Sequence, residues 1–229
     1  MPVFLLSQEE LSFPPAEWAG PEGLLAVGGD LSSERLLIAY QNGLFPWFNE
    51  DEPIMWWSPD PRFVLFPLEL KISKSMRPYF NQRKFQVTYD RNFELVMRSC
   101  GEVYRPGQQG TWISEAMVEA YVELHRKGYA HSVEVWQEGV LVGGLYGIAL
   151  GQVFFGESMF ARVSNASKFG FMSLVRQLHL HNFKLIDCQQ QTKHLGSLGA
   201  RPIERNLFLN YLRRLAIVEG SASSWSDWQ

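Results

Sequence analysis

Apolar and polar positions in the second half of the chain follow a pattern typical of several strands in quick succession. Three strand-like segments occupy residues 131–136, 140–150 and 152–160, and the short turns QEG and LGQ join them. Strands joined by such short turns pair as antiparallel neighbours. The pattern therefore predicts an antiparallel meander at the centre of this part of the protein.

Helical spacing of apolar residues precedes and follows the meander. Residues 114–127 place their apolar side chains on one face, and Gly128 follows as a stop signal. A longer helix is predicted over 165–181, then a strand within KLIDCQ, and a last helix over 204–215. This order favours an α+β class with a mostly antiparallel central sheet over a doubly wound sheet.

Residues 1–65 differ from the rest, because Pro, Gly and Trp interrupt any long helix or strand. One helix is predicted, with Asp30 or Ser32 as its N-cap and Gly43 just beyond its end. We therefore predict two domains. The first is a small, acidic, Trp- and Pro-rich N-terminal α/β domain at 1–65, and the second is a larger domain at 66–229.

Composition narrows the class of protein. The 229 residues are 46% hydrophobic and 20% charged, which is ordinary for a globular protein. The N-terminus lacks the pattern of a secretory signal, and the longest apolar run is too short to cross a bilayer. Only Cys100 and Cys188 are present, so no disulfide framework is predicted. We expect a cytoplasmic protein without a membrane segment, and a C-terminal tail, SASSWSDWQ, that is loose.

The net charge of −3 hides an uneven distribution. Residues 1–65 hold ten acidic and two basic side chains, whereas the stretch after them is basic. Such a stretch fits either contacts to nucleic-acid phosphates or an ordinary solvated face. Its basic side chains are Lys71, Lys74, Arg77, Arg83 and Lys84.

A glutamate stands inside the apolar segment FFGESMF. Such a segment is expected to be buried, and a buried carboxylate either pairs with a partner or takes up a proton. Glu157 is therefore a candidate for binding a cationic group of a substrate. The structural alternative is an ion pair with Arg162 or Lys168, which are close in sequence.

The segment LIDCQ raises a similar question. Alternation along a strand puts Asp187 and Gln189 on one side, where a carboxylate beside a carboxamide can orient a nucleophile and relay its proton. The alternative is that Asp187 caps the next helix and Gln189 begins a loop.

Common catalytic and cofactor motifs are missing from the sequence. The five histidines form no H-x-x-x-H pair, which disfavours a metal site. No G-x-S-x-G, G-x-G-x-x-G or Walker sequence occurs. The sequence therefore predicts no metal and no cofactor.

The predicted order of meander, long helix and strand resembles the Gcn5-related N-acetyltransferase fold, and we expect a domain of that type at 66–229. That fold holds acyl-CoA with a glycine-rich loop at the start of the helix, where backbone N–H groups bind pyrophosphate. The corresponding segment here, ARVSNASKFG, has no glycine before Gly170. An acetyl-CoA donor is therefore disfavoured.

Ten short motifs follow one another between about Leu24 and Ala200. They are LLAVGGDLS, GLFPWF, MWWSPDPR, GTWI, AHSVEVW, LVGGLYG, FFGESMF, NASK, KLIDCQ and LGSLGA. In this order they resemble the bacterial leucyl/phenylalanyl-tRNA–protein transferase family. Ten collinear motifs are far more specific than any one of them, and they cover most of the chain.

The resemblance implies an enzyme that moves an amino acid from tRNA to a protein. The expected donor is an aminoacyl-tRNA carrying Leu or Phe, or less readily Met. The expected acceptor is the α-amino group of a protein whose N-terminal residue is Arg or Lys. The product is expected to enter degradation through the N-end rule pathway, and converting an ester to an amide needs neither a nucleoside triphosphate nor a metal.

The resemblance also implies binding roles for individual residues. Trp47 and Trp112 are expected to stack on the terminal adenosine of the tRNA, while Trp56 and Trp57 pack in the core. The basic stretch is expected to contact the tRNA backbone. The aminoacyl side chain is expected to enter an apolar pocket lined by Leu145, Phe154, Met159, Phe171, Leu174, Leu178 and Ile186.

For the chemistry, the resemblance implies that Glu157 lies near an ammonium group of a substrate. It also implies a relay in which Asp187 polarises Gln189, which accepts a hydrogen bond from the attacking amine. A neutral amide is a very poor base, so Gln189 is expected chiefly to orient the amine. Asp187 is then expected to supply negative potential, with a ribose hydroxyl as one route for the proton.

Two other functions remain open at this point. An acyltransferase of the same fold could use acyl-CoA, against which the missing glycine loop counts. A non-catalytic adaptor could bind peptides with basic N-termini, and it would need Glu157 but not Asp187, Gln189 or the two tRNA-facing tryptophans.

Overall fold

A computed structural model describes residues 3–103, 111–217 and 224–228. Within these ranges the chain forms one four-stranded and one seven-stranded sheet. Helices pack on both faces of the larger sheet. This arrangement confirms the predicted α+β class.

The smaller sheet is built by the N-terminal part of the chain. Its strands are β1 (Phe4–Leu6), β2 (Leu24–Gly28), β3 (Phe45–Pro46) and β4 (Met55–Trp57), in the order β1-β2-β4-β3. Helix α1 (Ser33–Gln41) lies between β2 and β3 in sequence, and Ser32 is its N-cap, because the Ser32 side chain accepts a hydrogen bond from Arg35 N.

The predicted meander is confirmed in the seven-stranded sheet. Strands β7 (Ala130–Gln137), β8 (Val140–Leu150) and β9 (Val153–Ala161) are antiparallel neighbours. Strand β6 (Gln86–Tyr89) extends the meander on one side by pairing with β7. The bounds lie within one residue of those predicted, because tight turns fix where each strand ends.

The sheet continues on the other side of β9. Strand β10 (Leu185–Asp187) pairs with β9 in parallel, and β5 (Arg62–Leu65) then pairs with β10. The last strand, β11 (Arg201–Ile203), pairs with β5. A meander, a long helix and then a strand parallel to β9 is the order expected for an acetyltransferase-like domain. The division into domains at residue 65 stays a prediction, and β5, just before it, belongs to the larger sheet.

Helices cover the seven-stranded sheet and create two apolar cores. Besides α1, these helices are α2 (Arg77–Asn81), α3 (Phe93–Gly101), α4 (Glu115–Arg126), α5 (Ala166–Leu180), α6 (Lys193–Ser197) and α7 (Arg205–Leu215). One core lies among α1, α3, α4, α7 and the smaller sheet, and the other lies under α5. No helix in the described part of the chain has the length and apolar character needed to cross a membrane.

A β-bulge interrupts the pairing of β8 and β9. Tyr146 pairs with Ser158, but Gly147 pairs with Gly156, so Glu157 is an extra residue in β9. Bulges of this kind re-aim side chains beside functional sites. Gly147 permits the close approach, since a Cβ atom there would lie 2.1 Å from Phe155 O.

The end of the chain is ordered where the structure describes it, so the expectation of a loose tail is wrong for residues 224–228. Trp225 is 2% exposed and stacks on His131, with 3.9 Å between ring centroids. Its other face stacks on Trp228 at 4.0 Å, and its backbone N–H donates to Asp90. Aromatic burial outweighs the polar composition of the tail here.

Candidate active site

A cavity of about 450 Å³ opens where the parallel pairing of β9 and β10 stops. The last paired residues are Asp187 and Phe155, beyond which β9 continues to Ala161 with β8 as its partner and without β10 on its other side. Trp47, just after β3, and Trp112, before α4, also line the cavity. The volume lies within the range of about 300–1,000 Å³ that is usual for small-molecule sites in proteins.

Most of the residues predicted for the aminoacyl pocket line this cavity. Leu174 and Leu178 do not, because both are fully buried on α5 within the core beneath it. Phe171, Leu174 and Leu178 share one face of α5 at i, i+3 and i+7, so the two leucines lie about one and two turns farther along the helix than Phe171, which lines the cavity. The predicted residues that line the cavity are Leu145, Phe154, Met159, Phe171 and Ile186.

Glu157 lies in the cavity within a network of neutral hydrogen-bond donors. Its Oε1 accepts from Tyr40 Oη and from Gln189 Nε2, each at 2.8 Å. Its Oε2 lies 3.4 Å from Tyr121 Oη, and the two tyrosine hydroxyls are hydrogen-bonded to each other. The ion pair considered for Glu157 is not formed, since Arg162 instead pairs with Glu102 at 3.1 Å.

This environment changes the acidity of the groups in the network. Burial, reinforced by the charge of Asp187, raises the pKa of Glu157 to about 7, although hydrogen bonds from Tyr40 and Tyr121 act in the opposite direction. Burial and the nearby Glu157 charge raise the pKa of both tyrosines well above the usual value. Glu157 therefore exchanges its proton near neutral pH while the tyrosines stay protonated.

Asp187 ends β10 and forms a fully buried ion pair with Arg62 of β5. Arg62 donates from Nε to Oδ1 at 2.8 Å and from Nη2 to Oδ2 at 2.6 Å. Neither side chain is exposed to solvent. Two parallel hydrogen bonds make this the strongest common geometry for an arginine and a carboxylate. The alternative role for Asp187 is excluded, because Thr192 is the N-cap of α6.

Arg62 is fixed by three further groups. Its Nη1 donates to Gly43 O at 3.2 Å, just before β3. Its guanidinium carbon lies 4.8 Å from the ring centroid of Phe45 and 4.7 Å from that of Phe208. A guanidinium between two rings combines stacking with charge pairing. Arg62 thereby joins the smaller sheet, β10 and α7 at the floor of the site.

Gln189 reaches the cavity by a different route from the one predicted. The strand ends at Asp187, so simple alternation does not extend to Gln189, whose φ is +59°. Its backbone N–H donates to Asp187 Oδ1 at 2.8 Å, while its side-chain amide donates to Glu157. The side chain of Gln189 is therefore coupled to Glu157, and Asp187 contacts only its main chain.

The four tryptophans differ in burial, but not along the predicted division between tRNA-facing and core residues. Trp47 and Trp112 both line the cavity, where Trp47 is 40% exposed and Trp112 is buried, with 9% exposed. Trp56 is fully buried, with Nε1 donating to Gly28 O. Trp57 is only partly buried and supports Trp47, because its Nε1 donates to Trp47 O at 2.7 Å and the two rings meet edge to face.

The five basic side chains between residues 71 and 84 are all exposed, and none of them lines the cavity. They surround α2, which packs through Phe80 against Phe169 of α5. Lys84 lies over the ring of Tyr79, at 5.1 Å from its centroid. This surface is solvated, as both readings of the charge pattern require.

Sequence reasoning missed three residues of the site. Tyr40 and Tyr121 stand at apolar positions of helical patterns in the sequence, which indicates core packing rather than a polar role, and no motif indicates a role for Arg62. One signal was available, since a buried Glu157 requires donors from elsewhere and tyrosine is the polar residue most easily buried on an apolar face. Arg62 is separated from Asp187 by 125 positions, a pairing that no local pattern reveals.

Two further titratable residues line the cavity. Burial and the charge of Asp187 raise the pKa of the Cys188 thiol well above its usual value, so it is no nucleophile at neutral pH. Burial, followed by the charge of Lys168, lowers the pKa of His194. Its Nε2 is buried and has no hydrogen-bond partner in the ranges that the structure covers.

Comparison with known protein families gives two matches that together cover most of the chain. The family model described as leucyl/phenylalanyl-tRNA protein transferase matches residues 64–213. A second model, described as the N-terminal domain of the same proteins, matches residues 29–60.

Curated relatives carry the same description. A leucyl/phenylalanyl-tRNA–protein transferase of Pseudomonas fluorescens (strain Pf0-1) is 58% identical over 211 residues, covering 91% of this chain and 93% of its own. One from Syntrophobacter fumaroxidans is 60% identical over 212 residues, covering 93% and 90%. One from Flavobacterium johnsoniae is 58% identical over 205 residues, covering 90% and 97%.

Solved structures resemble the chain only distantly. A GCN5-related N-acetyltransferase from Kribbella flavida aligns with 72% of this chain and 58% of its own, at 11% identity and a TM-score of 0.40. The structure of L-PGS from Bacillus licheniformis aligns with 71% and 51%, at 10% identity and a TM-score of 0.42.

Proposed function

Because the chain belongs to the leucyl/phenylalanyl-tRNA–protein transferase family, we propose that it transfers Leu or Phe, and less readily Met, from aminoacyl-tRNA to a protein. The proposed acceptor is the α-amino group of a protein that begins with Arg or Lys. The proposed outcome is a destabilising N-terminus that marks the protein for degradation in the cytoplasm.

One observation supports this proposal more than any other. A single cavity is lined by two tryptophans, by several apolar side chains and by the carboxylate of Glu157. These are the three features that an aminoacyl-adenosine needs: flat rings for the base, an apolar space for the side chain and an acceptor for an ammonium group. We assign Trp47 and Trp112 to the base.

The wall of the cavity favours unbranched or γ-branched apolar side chains in the proposal. Phe154 and Phe171 present flat faces, while Met159 supplies a flexible one, so Leu, Phe and Met can each fill the same space. Valine and isoleucine, branched at Cβ, would collide near the ester. Discrimination by a single methylene in such a pocket amounts to about 1–3 kcal/mol.

Positioning supplies much of the proposed catalysis. The ester of an aminoacyl-tRNA is already activated, and holding it beside an amine gains a large effective molarity. Gln189, fixed by its turn after β10, orients the amine, while Arg62 and Asp187 hold that turn in place. The exposed basic side chains near α2 are assigned to the phosphates of the acceptor arm.

A transfer assay tests the proposal directly. Leucyl-tRNA, phenylalanyl-tRNA and methionyl-tRNA would each be offered with a protein that begins with Arg, and with the same protein beginning with Gly. We expect labelled Leu and Phe, and less Met, on the first acceptor only. Absence of transfer from every tRNA, or equal transfer to both acceptors, contradicts the proposed specificity.

Removing Trp47 and Trp112 should weaken tRNA binding. Stacking of one base on aromatic side chains contributes about 1–3 kcal/mol, so a Trp47→Ala, Trp112→Ala variant should raise the KM for leucyl-tRNA roughly 10- to 100-fold. The matched control is Trp18→Ala, since Trp18 is 53% exposed and does not line the cavity. An unchanged KM in the double variant removes the stacking assignment.

Salt dependence tests the basic stretch. A protein that neutralises phosphates loses affinity as salt rises, and the logarithm of its association constant falls against the logarithm of the salt concentration with a slope of about −0.7 to −0.9 for each contact. A Lys74→Ala, Arg77→Ala variant should therefore bind tRNA more weakly at low salt and show a shallower slope by roughly one to two units. Arg213→Ala, which removes an exposed arginine paired with Glu17, is the control. Equal slopes would indicate a solvated face without contacts.

A further inference from the structure

Two carboxylates line the cavity, but only one of them can accept a proton from a substrate. Asp187 Oδ1 accepts from Arg62 Nε and from Gln189 N, and Oδ2 accepts from Arg62 Nη2. The side chain is fully buried. Protonating Asp187 would leave the buried Arg62 without a counter-ion, which is costly. Asp187 is therefore a structural anion.

Glu157 is in the opposite situation. Its partners Tyr40, Tyr121 and Gln189 are all neutral, and it forms no ion pair anywhere in the described ranges. The bulge in β9 turns it into the cavity, where it is only partly buried. A carboxylate held by neutral donors loses no ionic partner when it takes up a proton.

We propose that Glu157 is the catalytic residue that accepts the first proton from the α-ammonium group of the acceptor protein, with Tyr40 and Tyr121 as positioning residues. This inference rests on the proposed function, and it assigns the proton acceptor of that reaction. It gives Gln189 the role of a donor to Glu157, and Asp187 no part in proton transfer.

The proposed reaction converts the aminoacyl ester and the α-ammonium group into an amide, a free ribose hydroxyl and one proton. The ammonium group gives one proton to the Glu157 carboxylate, which leaves a neutral amine with a lone pair. The amine attacks the ester carbonyl, a C–N bond forms, and the bond from carbon to the ribose oxygen breaks. The second amine proton passes to that leaving oxygen, directly or through the neighbouring ribose hydroxyl. Glu157 then returns its proton to solvent, so one proton is released for each transfer.

The two tyrosines allow Glu157 to change its charge without losing a hydrogen bond. In the ionised state, Tyr40 donates to Oε1 and Tyr121 faces Oε2. In the protonated state, Oε2 can donate to Tyr121, which donates to Tyr40, which still donates to Oε1. Each hydroxyl has one donor and can also accept, so the ring of three groups closes. Both states of the carboxyl group are therefore satisfied.

The surrounding charges favour proton exchange near neutral pH. Burial and Asp187 act against the ionised form of Glu157, and Arg62 acts for it. Cys188 stays a neutral thiol, and burial favours neutral His194. The titratable and charged groups around Glu157 are Tyr40 of α1, Arg62 of β5, Tyr121 of α4, Asp187 of β10, Cys188 after β10 and His194 of α6.

The pH dependence of kcat/KM follows from this role. Glu157 is ionised above its pKa of about 7, and the acceptor amine is an ammonium below about 7.7–8.0. Amine that is already neutral attacks directly, so neither protein should lose activity on the alkaline side. In the native chain kcat/KM should rise through the pKa of Glu157 and then level off. In a Glu157→Gln variant kcat/KM should rise only as the amine itself loses its proton, at about pH 7.7–8.0.

The deciding experiment compares two acceptors with the full-length native chain and Glu157→Gln. One acceptor peptide begins with Arg, and the other begins with an aminooxy analogue of Arg, whose nitrogen is neutral at pH 7. The loss in Glu157→Gln should be about 100-fold with the ordinary peptide and less than tenfold with the analogue. Equal losses on both acceptors, with an unchanged pH profile, would overturn the role of Glu157.

Tyr40→Phe and Tyr121→Phe give an independent measurement, and they decide the question if Glu157→Gln does not fold. Burial raises the pKa of Glu157, and hydrogen bonds from the two tyrosines partly offset it. Removing either hydroxyl should therefore move the acidic side of the profile to higher pH. Profiles that stay in place count against the inference. Failure of the native chain to transfer to either acceptor at any pH is a different result, since it rejects the proposed function itself.

Discussion

An Arg62→Ala variant is expected to lose about 3–5 kcal/mol of unfolding free energy, because it leaves the buried carboxylate of Asp187 without its cation. Arg62 and Asp187 are both fully buried and joined by two hydrogen bonds. The variant also removes a side chain that fills the space between Phe45 and Phe208. Loss of the charge and loss of packing act in the same direction.

Urea unfolding of the native and variant proteins measures this change. The double variant Arg62→Ala, Asp187→Ala should lose less unfolding free energy than the sum of the losses in the two single variants. It removes both members of the pair, so no buried charge is left without a partner. The control is Arg201→Ala, because Arg201 pairs with Glu69 on the surface and is about half exposed. Similar losses of unfolding free energy for Arg62→Ala and Arg201→Ala would show that the buried ion pair stabilises the fold no more than the exposed one.

A Trp225→Ala variant is expected to lose about 3–5 kcal/mol, the usual cost of deleting a fully buried aromatic side chain. Trp225 lies between His131 and Trp228 and also contacts Phe154, with 5.7 Å between ring centroids. Because Phe154 lines the cavity, the ratio of Leu to Phe transfer should change as well.

Thermal and urea unfolding measure the stability change, and competition between leucyl-tRNA and phenylalanyl-tRNA measures the ratio. Leu180→Ala is the matched control, because Leu180 lies at the end of α5 and is 75% exposed. Native stability in Trp225→Ala would mean that the stack adds nothing to the fold. A destabilised variant that keeps the native ratio of Leu to Phe transfer would show that Trp225 stabilises the fold without affecting the shape of the cavity.

The sequence predicts the central part of the fold well. Strand lengths in β7, β8 and β9 follow from alternation and tight turns, and α4 begins where Ser114 accepts a hydrogen bond from Met117 N. These are local signals. Strand β5 is different, because it is recognisable only through its partners β10 and β11, which are far along the chain.

The site divides along the same line. Motif resemblance indicates Glu157, Trp47 and Trp112, all of which line one cavity. Resemblance does not reveal that Leu174, one turn beyond Phe171 on the same face of α5, is buried in the core and does not line the cavity. It also gives no sign that Arg62 forms an ion pair with Asp187. Hydrogen-bond partners depend on tertiary distance, which sequence spacing does not encode.

The position of Arg62 has a consequence for how tRNA reaches the site. Its guanidinium is held by Gly43 of the N-terminal part and by Asp187 of the larger sheet. A hinge motion that separated these two parts would remove the Arg62 guanidinium from its contacts with the rings of Phe45 and Phe208. We therefore expect no jaw-like opening. We expect the single-stranded 3′ end of the aminoacyl-tRNA to enter a cavity that is already formed in the free protein.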